Sequence, residues 1–198
     1  MPDRGARVVL IRHGETEWSR SGKHTSRTDL PLTPSGEARA RALERVVGGL
    51  ELRNPLIITS PRQRALRTAE LAWLSVDHSW DALAEWDYGE YEGRTTPEIR
   101  KQVPDWTVWT HPCPGGESAE SVSQRADRVL AVASTHLPDQ DVVLVGHGHF
   151  SRALIARWAE LPVVEGRRFL MSAGALSELG FERDVRVIVS HNLIGASI

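Results

Sequence analysis

The chain has 198 residues, with 24 lysines and arginines against 26 aspartates and glutamates and a formal net charge of −2. Its hydrophobic content of 40% and charged content of 25% are ordinary globular values, which excludes a disordered, collagen-like or membrane-spanning chain. The length predicts one domain over residues 1–198. The near-neutral charge offers no broad cationic field for nucleic acid or a membrane surface, so we expect a small-molecule ligand.

Cysteine usage and the amino-terminal segment predict a cytoplasmic location. The single cysteine, Cys113, has no second cysteine with which to form an internal disulfide. The amino-terminal segment reaches polar residues too soon to form the apolar stretch of a secretory signal. We therefore expect a reducing compartment.

The first half of the chain alternates apolar runs with helical patterns. Residues 6–11 and 56–59 are short, β-branched runs, typical of strands covered on both faces. Between them, Thr33 followed by proline predicts the start of a helix that ends at Gly48-Gly49. After the second run, Ser60-Pro61-Arg62-Gln63 predicts another helix start, with Ser60 and Gln63 forming a capping box.

The second half continues this alternation around one irregular stretch. We expect a third strand near residues 80–88, followed by an insertion over about 89–117 that is rich in tryptophan, proline and glycine. The remaining predicted elements are a helix over 118–137, a strand over 142–145, a helix over about 150–159, and two strands over 175–181 and 185–189. The pattern predicts an α/β fold, with a mostly parallel central sheet and helices on both faces, whose ligands gather at the carboxyl ends of the strands.

Three predicted strand ends carry residues suited to phosphate. They are Arg12-His13-Gly14, Ser60-Pro61-Arg62 and Gly146-His147-Gly148. In a parallel sheet these ends meet, and two guanidiniums and two imidazoles offer charge-assisted hydrogen bonds to a tetrahedral oxyanion. The helix amino termini that follow Ser60 and Gly148 are expected to add their dipoles. We expect the glycines after the histidines to let the backbone approach the anion, and the expected ligand is a phosphoryl group.

Read together, Leu10–Thr16, Thr59–Arg62 and Gly146–Gly148 resemble the motifs of the histidine phosphatase superfamily, in its phosphoglycerate mutase-like branch, over nearly the whole chain. The resemblance implies that His13 is the nucleophile and forms a phosphohistidine that water hydrolyses. It also implies that three residues bind the phosphoryl oxygens: Arg12, Arg62 and His147. Flanking arginines disfavour the imidazolium form of His13, and positioning with electrostatics supplies most of the acceleration without a cofactor or metal.

A leaving alkoxide needs a proton, and residues 83–89 resemble the family segment that supplies it. We expect Glu85 to be the general acid, with Asp87 as the rival. Beside an aromatic residue and a bound dianion, the protonated form of a carboxyl group is favoured. This general acid also predicts activity that extends to acid pH.

The stretch from Ser19 to Asp29 resembles the family loop that borders the pocket. Ser19 stands where phosphoglycerate mutases carry an asparagine, and Thr25 matches their threonine. We expect Ser19, Thr25 and Gly148 to contact the substrate. Three cationic or imidazole side chains of this loop could meet a second anionic group, although a solvated surface loop is an equally good interpretation: Lys23, His24 and Arg27.

The insertion contains three aromatic residues that could cover an organic moiety as a lid: Trp106, Trp109 and His111. Packing of the insertion onto the core is the commoner role of buried tryptophans, and we rank it above a lid.

Hydrolysis is favoured over phosphoryl shuttling. A cofactor-dependent phosphoglycerate mutase must hold a reorienting bisphosphate, yet residues 90–118 offer only three cations: Arg94, Arg100 and Lys101. The runs 85–93 and 28–33 resemble acid phosphatases and sugar-bisphosphate phosphatases of the superfamily. The mutase stays open as the first alternative, and a non-catalytic phosphate-binding module as a second.

Other reaction classes lack their signatures. A cysteine phosphatase needs an arginine six residues after its cysteine, where this chain has Ala119. The run Gly146–Ser151 resembles a dinucleotide fingerprint without its third glycine. His147 and His149 diverge at a helix start, so we expect no metal site. The sequence leaves a monomer and a homodimer equally open.

Overall fold

The computed structural model describes residues 5–137 and 139–195 of the chain. Six strands form one sheet: β1 Val8–Arg12, β2 Leu56–Thr59, β3 His78–Ser79, β4 Val142–Gly146, β5 Ala175–Glu182 and β6 Val185–Ile194. The α-helices are α1 Glu17–Ser21, α2 Pro34–Gly48, α3 Gln63–Leu71, α4 Thr96–Arg100, α5 Ala119–His136 and α6 Gly148–Trp158. Short 3₁₀ turns cover Asp81–Leu83, Gly89–Tyr91 and Val163–Arg168.

The sheet has the order β3-β2-β4-β1-β5-β6. The strands β3, β2, β4 and β1 pair in parallel, whereas β5 pairs antiparallel with both of its neighbours, β1 and β6. The predicted mostly parallel sheet with helices on both faces is therefore confirmed. The register places Arg12 beside Gly146, and Thr59 beside Val145. As a result, the residues that follow β1, β2 and β4 emerge at one edge of the sheet, at nearly the same level.

Alternating side chains of β1 supply the two layers of the core. Val8 and Leu10 lie in the larger buried cluster, together with residues of α5 and α6. Val9 and Ile11 point to the opposite face and pack with residues of α2 and α3. All four are essentially inaccessible to solvent, and each contributes roughly 1.5–3 kcal/mol by its burial. This two-sided burial holds the end of β1 rigidly, and the candidate site begins there.

Two local predictions are wrong. The third strand is not at residues 80–88 but is the two-residue β3, which is followed by a 3₁₀ turn because the N–H of Leu83 bonds to the carbonyl of Trp80. The capping box does not form, since α3 begins at Gln63 without a side-chain cap, and the Ser60 hydroxyl is used elsewhere. The cap at Thr33 is confirmed, because its hydroxyl accepts from the N–H of Gly36.

The insertion packs onto the core, as we ranked it. Trp106 is 1% exposed and Trp109 is 6% exposed, and both belong to the larger cluster. His111 bonds within its own turn, where Nδ1 lies 3.0 Å from the Thr110 hydroxyl. Within the residues that the structure describes, no helix is long and apolar enough to cross a membrane.

Candidate active site

His13 lies immediately after β1, with its N–H donating to the carbonyl of Gly146 on the neighbouring strand (2.9 Å). Its ring is 5% exposed and lines a cavity of about 170 Å³ at the carboxyl edge of the sheet. Nδ1 lies 2.7 Å from the carbonyl oxygen of Gly14, which can only accept. Nδ1 therefore carries the proton, and Nε2 is left with a free lone pair.

The surroundings of His13 keep its ring neutral. Burial, followed by the positive charges of Arg64 and Arg12, holds its pKa well below the ordinary value of 6.5. The hydrogen bond to the Gly14 carbonyl opposes this shift without cancelling it. A neutral imidazole is the form that can attack phosphorus.

His147 is the N-cap residue of α6 and is fully buried beside His13, with ring centroids 5.1 Å apart. The guanidinium Nε of Arg64 donates to its Nδ1 (3.3 Å), and its Nε2 lies 2.7 Å from the Ser60 hydroxyl. Because a guanidinium only donates, Nδ1 must accept, so Nε2 holds the proton. Burial, and then the charge of Arg64, lowers the pKa of His147 well below 6.5.

Arg64 is the cation that links the two histidines, and the sequence reasoning missed it. Its side chain is fully buried on α3, where Nη1 and Nη2 donate to the carbonyls of Thr28 (2.9 Å) and Ser26 (3.2 Å). Its signal in the sequence is an arginine four residues before Thr68, on the inward face of a helix. Thr68 is itself buried, and its hydroxyl accepts from the N–H of Gly14.

We predict that Arg64→Lys lowers kcat by about 10²- to 10³-fold, because a lysine cannot donate to His147 and both carbonyls in the fixed geometry of a guanidinium. Arg67→Lys is the matched control, since Arg67 is on the same helix but pairs with Glu37 and Glu70 at the surface. It should change kcat by less than about twofold. Steady-state kinetics on para-nitrophenyl phosphate checks both, and equal effects would contradict the role of Arg64.

Arg12 lies on β1 and lines the same cavity. Its Nη1 donates to the carbonyl of Met171 (2.5 Å), whereas its Nε is buried and has no hydrogen-bond partner among the described residues. Burial lowers the pKa of Arg12 below the ordinary value of a guanidinium. Gly148, predicted to contact substrate, leaves room for this guanidinium, because an added Cβ would lie 3.1 Å from it. Arg12 thus has an unused donor beside His13.

The glycine after His13 has a packing role in the structure. A Cβ on Gly14 would lie 2.4 Å from the carbonyl oxygen of Gly36, so Gly14 allows the His13 loop to pack against the start of α2. The approach of its backbone to an anion stays a prediction.

Arg62 opens onto a neighbouring cavity and not onto the one that holds His13. It lies there with Asp81, Asp87 and Glu117, and its Nε is buried without a partner in the described part of the chain. The structure therefore brings Arg12, His13 and His147 together as expected and adds Arg64, which donates to His147. The charge of Arg62 also helps to lower the pKa of His147, and the contact of Arg62 with a phosphoryl oxygen stays a prediction.

Glu85 separates the two cavities and lines both. Its Oε1 accepts from the N–H groups of Trp86 (2.9 Å) and Phe150 (2.8 Å), and its Oε2 accepts from the N–H of His149 (3.0 Å). The first turn of α6 is thus directed at this carboxylate, which differs from the expected action of its dipole on the anion. Oε2 accepts one hydrogen bond from the described residues and so keeps a lone-pair position free.

The rival acid, Asp87, is committed to other contacts. Its Oδ2 pairs with Arg27 and its Oδ1 accepts from the N–H of Gly89 (3.0 Å). Of the described residues lining the cavity of His13, Glu85 is the only carboxylate. Glu85 is therefore the carboxyl group placed to exchange a proton beside His13.

Helix α1 and the loop that follows it border the cavity as expected. The cavity is lined by Ser19 of α1 and by Lys23, His24 and Thr25 of the loop, whereas Arg27 lies in the neighbouring opening. The hydroxyl of Ser19 both accepts from the N–H of Thr16 (2.9 Å) and donates to its carbonyl (3.1 Å), so it caps α1. Thr25 donates to the carbonyl of Lys23 (3.2 Å).

His24 is buried against the rings of Tyr88 and Trp106, whose centroids lie 4.7 and 5.2 Å from the centroid of its own ring. Burial lowers the pKa of His24 to about 4. The unfolded chain regains an ordinary pKa and binds more protons below about pH 6.5. The contribution of His24 to the free energy of unfolding is therefore fully present above that pH. It falls by about 1.4 kcal/mol per pH unit as the pH drops towards 4. His13 and His147 add to the same trend.

We predict that His24→Phe reduces the slope of the unfolding free energy against pH between about pH 6.5 and 4. The reduction should correspond to about one bound proton, because the variant has no group to titrate at this position. Urea unfolding at several pH values measures this slope. His78→Phe, at an exposed histidine of β3, should leave it unchanged. The same slope in the His24 variant and the unaltered chain would contradict the prediction.

Three further residues that line the cavity were missed by the sequence reasoning: Tyr88, His149 and Arg152. The Tyr88 hydroxyl lies 2.6 Å from Nδ1 of His149. Burial raises the pKa of Tyr88 well above 10 and lowers the pKa of His149 well below 6.5, so both are neutral. Tyr88 donates and His149 accepts. Among the described residues, no group of histidine, cysteine and carboxylate side chains is arranged to hold a metal ion.

Comparison with known proteins gives a consistent result. The family model described as "Histidine phosphatase superfamily (branch 1)" matches residues 8–194. A Mycobacterium tuberculosis protein named acid phosphatase is 50% identical over 192 residues, covering 97% of this chain and 95% of its own. A Saccharomyces cerevisiae sedoheptulose 1,7-bisphosphatase is 36% identical, covering 82% and 71%. The solved structure of a Mycobacterium tuberculosis open reading frame product has a TM-score of 0.95 at 50% identity, covering 98% and 100%.

Proposed function

Since the chain belongs to branch 1 of the histidine phosphatase superfamily and is a phosphatase, we propose that it hydrolyses small phosphorylated metabolites through a phosphohistidine on His13. One observation carries this proposal. The hydrogen bond of 2.7 Å from Nδ1 of His13 to the Gly14 carbonyl leaves Nε2 unprotonated in a small cavity that also contains Arg12 and Glu85. Nucleophile, cation and proton donor thus share one space.

In the first step, Nε2 of His13 forms a bond to phosphorus while the bond from phosphorus to the ester oxygen breaks. Glu85 gives its proton to that oxygen, and the alcohol leaves neutral. The unused Nε donor of Arg12, with the charge of Arg64 behind the histidines, stabilises the negative charge of the transferring group.

In the second step, water attacks the phosphohistidine from the cavity. Glu85, now a carboxylate, takes a proton from the water as its oxygen bonds to phosphorus. The bond from phosphorus to Nε2 breaks, and inorganic phosphate leaves. His13 returns to its neutral form, and Glu85 is protonated again for the next cycle.

His147 positions the reaction centre in this proposal. Its ring is held between Arg64 and Ser60 and packs edge-on against His13. The low pKa of His13 keeps Nε2 unprotonated below neutral pH, which supports activity that extends into the acid range. The cytoplasmic location, the independence from cofactors and the phosphate monoester partner expected from the sequence belong to the same proposal.

A screen of phosphate monoesters between about pH 5 and 7 tests the proposed function. We expect hydrolysis of several small esters, including para-nitrophenyl phosphate. Phosphoglycerate mutase activity stimulated by 2,3-bisphosphoglycerate is the comparison arm. Mutase rates equal to the hydrolysis rates would favour the alternative function, and phosphate binding without turnover would favour a non-catalytic module.

A further inference from the structure

The cavity of His13 is lined by a further cation, Arg152, which is held in a fixed position. Arg152 lies on α6, four residues after Gly148 and therefore on the same face of the helix. Its Nε donates to the carbonyl of Gly166 (3.0 Å) and its Nη2 to the carbonyl of Arg167 (2.8 Å). The guanidinium also lies over the ring of Trp109, 4.9 Å from its centroid. These contacts hold the side chain, and Nη1 donates no hydrogen bond to any residue that the structure describes.

A second cation reaches the cavity from the loop after α1. Lys23 is exposed, and its Nζ lies 5.6 Å from the centroid of the Trp18 ring. Within the described part of the chain, neither Lys23 nor Arg152 forms an ion pair. The only carboxylate among the lining residues, Glu85, is held by N–H groups of α6. Glu85 acts on Arg152 only through its charge, so among the described residues neither cation is held in an ion pair.

A single phosphoryl group does not account for these two cations. Arg12 and Arg62 each have a buried Nε without a hydrogen-bond partner among the described residues, and their two charges match those of one phosphoryl dianion. Burial lowers the pKa of Arg152, the charge of Glu85 opposes this shift, and the charge of Arg12 adds to it, so the two guanidiniums that line the cavity repel each other. An additional anion near Arg152 would relieve that repulsion.

We propose that Arg152, assisted by Lys23, binds a second anionic group of the substrate, a carboxylate or a phosphate on the leaving group. This inference rests on the proposed function and narrows it to phosphate monoesters that carry another acidic group. A guanidinium binds either oxyanion through paired hydrogen bonds. Arg27, a candidate for this role from the sequence, lies outside the cavity and pairs with Asp87.

The test compares kcat/KM on two groups of substrates. 3-Phosphoglycerate and fructose 1,6-bisphosphate carry a second carboxylate and a second phosphate, whereas glycerol 3-phosphate and para-nitrophenyl phosphate carry neither. We expect Arg152→Gln to lose about 10- to 100-fold on whichever two-anion substrates the enzyme uses, mainly through KM, because one charged hydrogen-bonding partner is removed. On the one-anion substrates the loss should stay within about threefold.

Two further variants guard against misfolding and non-specific charge effects. Lys23→Gln changes an exposed side chain and should lose about three- to tenfold on two-anion substrates only. Arg27→Gln removes a positive charge from the neighbouring opening and should affect the two groups equally. If Arg152→Gln unfolds, the single variants Arg152→Lys and Lys23→Gln take its place in the test. Lysine keeps the charge but loses the paired donors, so Arg152→Lys should also lose activity selectively on two-anion substrates.

The outcomes separate the two proposals. Equal losses on both substrate groups for the Arg152 and Lys23 variants would overturn the second-anion site and would place Arg152 at the reacting phosphoryl group. If the unaltered protein hydrolysed para-nitrophenyl phosphate but showed no preference for a second anion, only this inference would fail. A lack of hydrolysis of every ester would instead refute the proposed function.

Discussion

His13→Ala should lower kcat on every phosphate ester by at least about 10⁴-fold, because the variant has no nucleophile to form the covalent intermediate. The residual rate would come from binding and electrostatic stabilisation by Arg12 and Arg64. Steady-state kinetics on para-nitrophenyl phosphate provides the measurement, since its reactive leaving group makes low rates detectable.

Two controls make the His13 result specific. His78→Ala removes an exposed histidine of β3 and should keep the full rate. Thermal unfolding of His13→Ala above pH 6.5 should show a folded protein, because the ring removed is neutral there and its main hydrogen bond is to the adjacent residue. A folded variant that retained more than about a tenth of the rate would contradict nucleophilic catalysis by His13.

Glu85→Gln should lower kcat on alkyl phosphates by about 10²- to 10⁴-fold, because the amide cannot protonate a leaving alkoxide. On para-nitrophenyl phosphate, whose leaving group is stable as an anion, the loss should be about tenfold or less. The ratio of the two losses is the readout. A purely structural effect on the N-terminal turn of α6 would lower both rates alike.

Asp87→Asn is the matched control for Glu85, since Asp87 lies two residues along the same segment and pairs with Arg27 at the neighbouring opening. It should lower the two rates equally and by less than about tenfold. In Glu85→Gln, the amide N–H₂ faces the backbone N–H of His149, which loses its acceptor. We expect this unpaired donor to lower the free energy of unfolding by about 1–3 kcal/mol. Equal losses on both substrates would remove Glu85 from the role of general acid.

The sheet was predictable because its central strands are read directly from composition. β1, β2 and β4 are continuous β-branched runs covered on both faces, and such runs have few alternatives in a chain of this length. The edge strand β3 could not be found in the same way. Both of its residues are exposed, so it lacks an apolar pattern, and only its backbone pairing with β2 defines it.

The histidines of the site were predictable because the strand ends fix their backbone positions. Arg64 was missed because its inward position depends on where α3 begins and how it is rotated, which sequence spacing alone leaves undecided. Once α3 begins at Gln63, Arg64 points inward with Thr68 and Arg62 becomes the N-cap residue. Arg152 was missed for a different reason: packing of Gly166 and Trp109 from distant segments directs it into the cavity.

Trapping the covalent intermediate tests the central claim most directly. The protein is mixed with a ³²P-labelled phosphate ester that it hydrolyses, quenched within one turnover in base, and digested for peptide mapping. The account predicts label on His13 that survives base and is lost in acid, as expected for a bond from phosphorus to an imidazole nitrogen. Label on another residue, label that is stable in acid, or turnover without any labelled protein would contradict it.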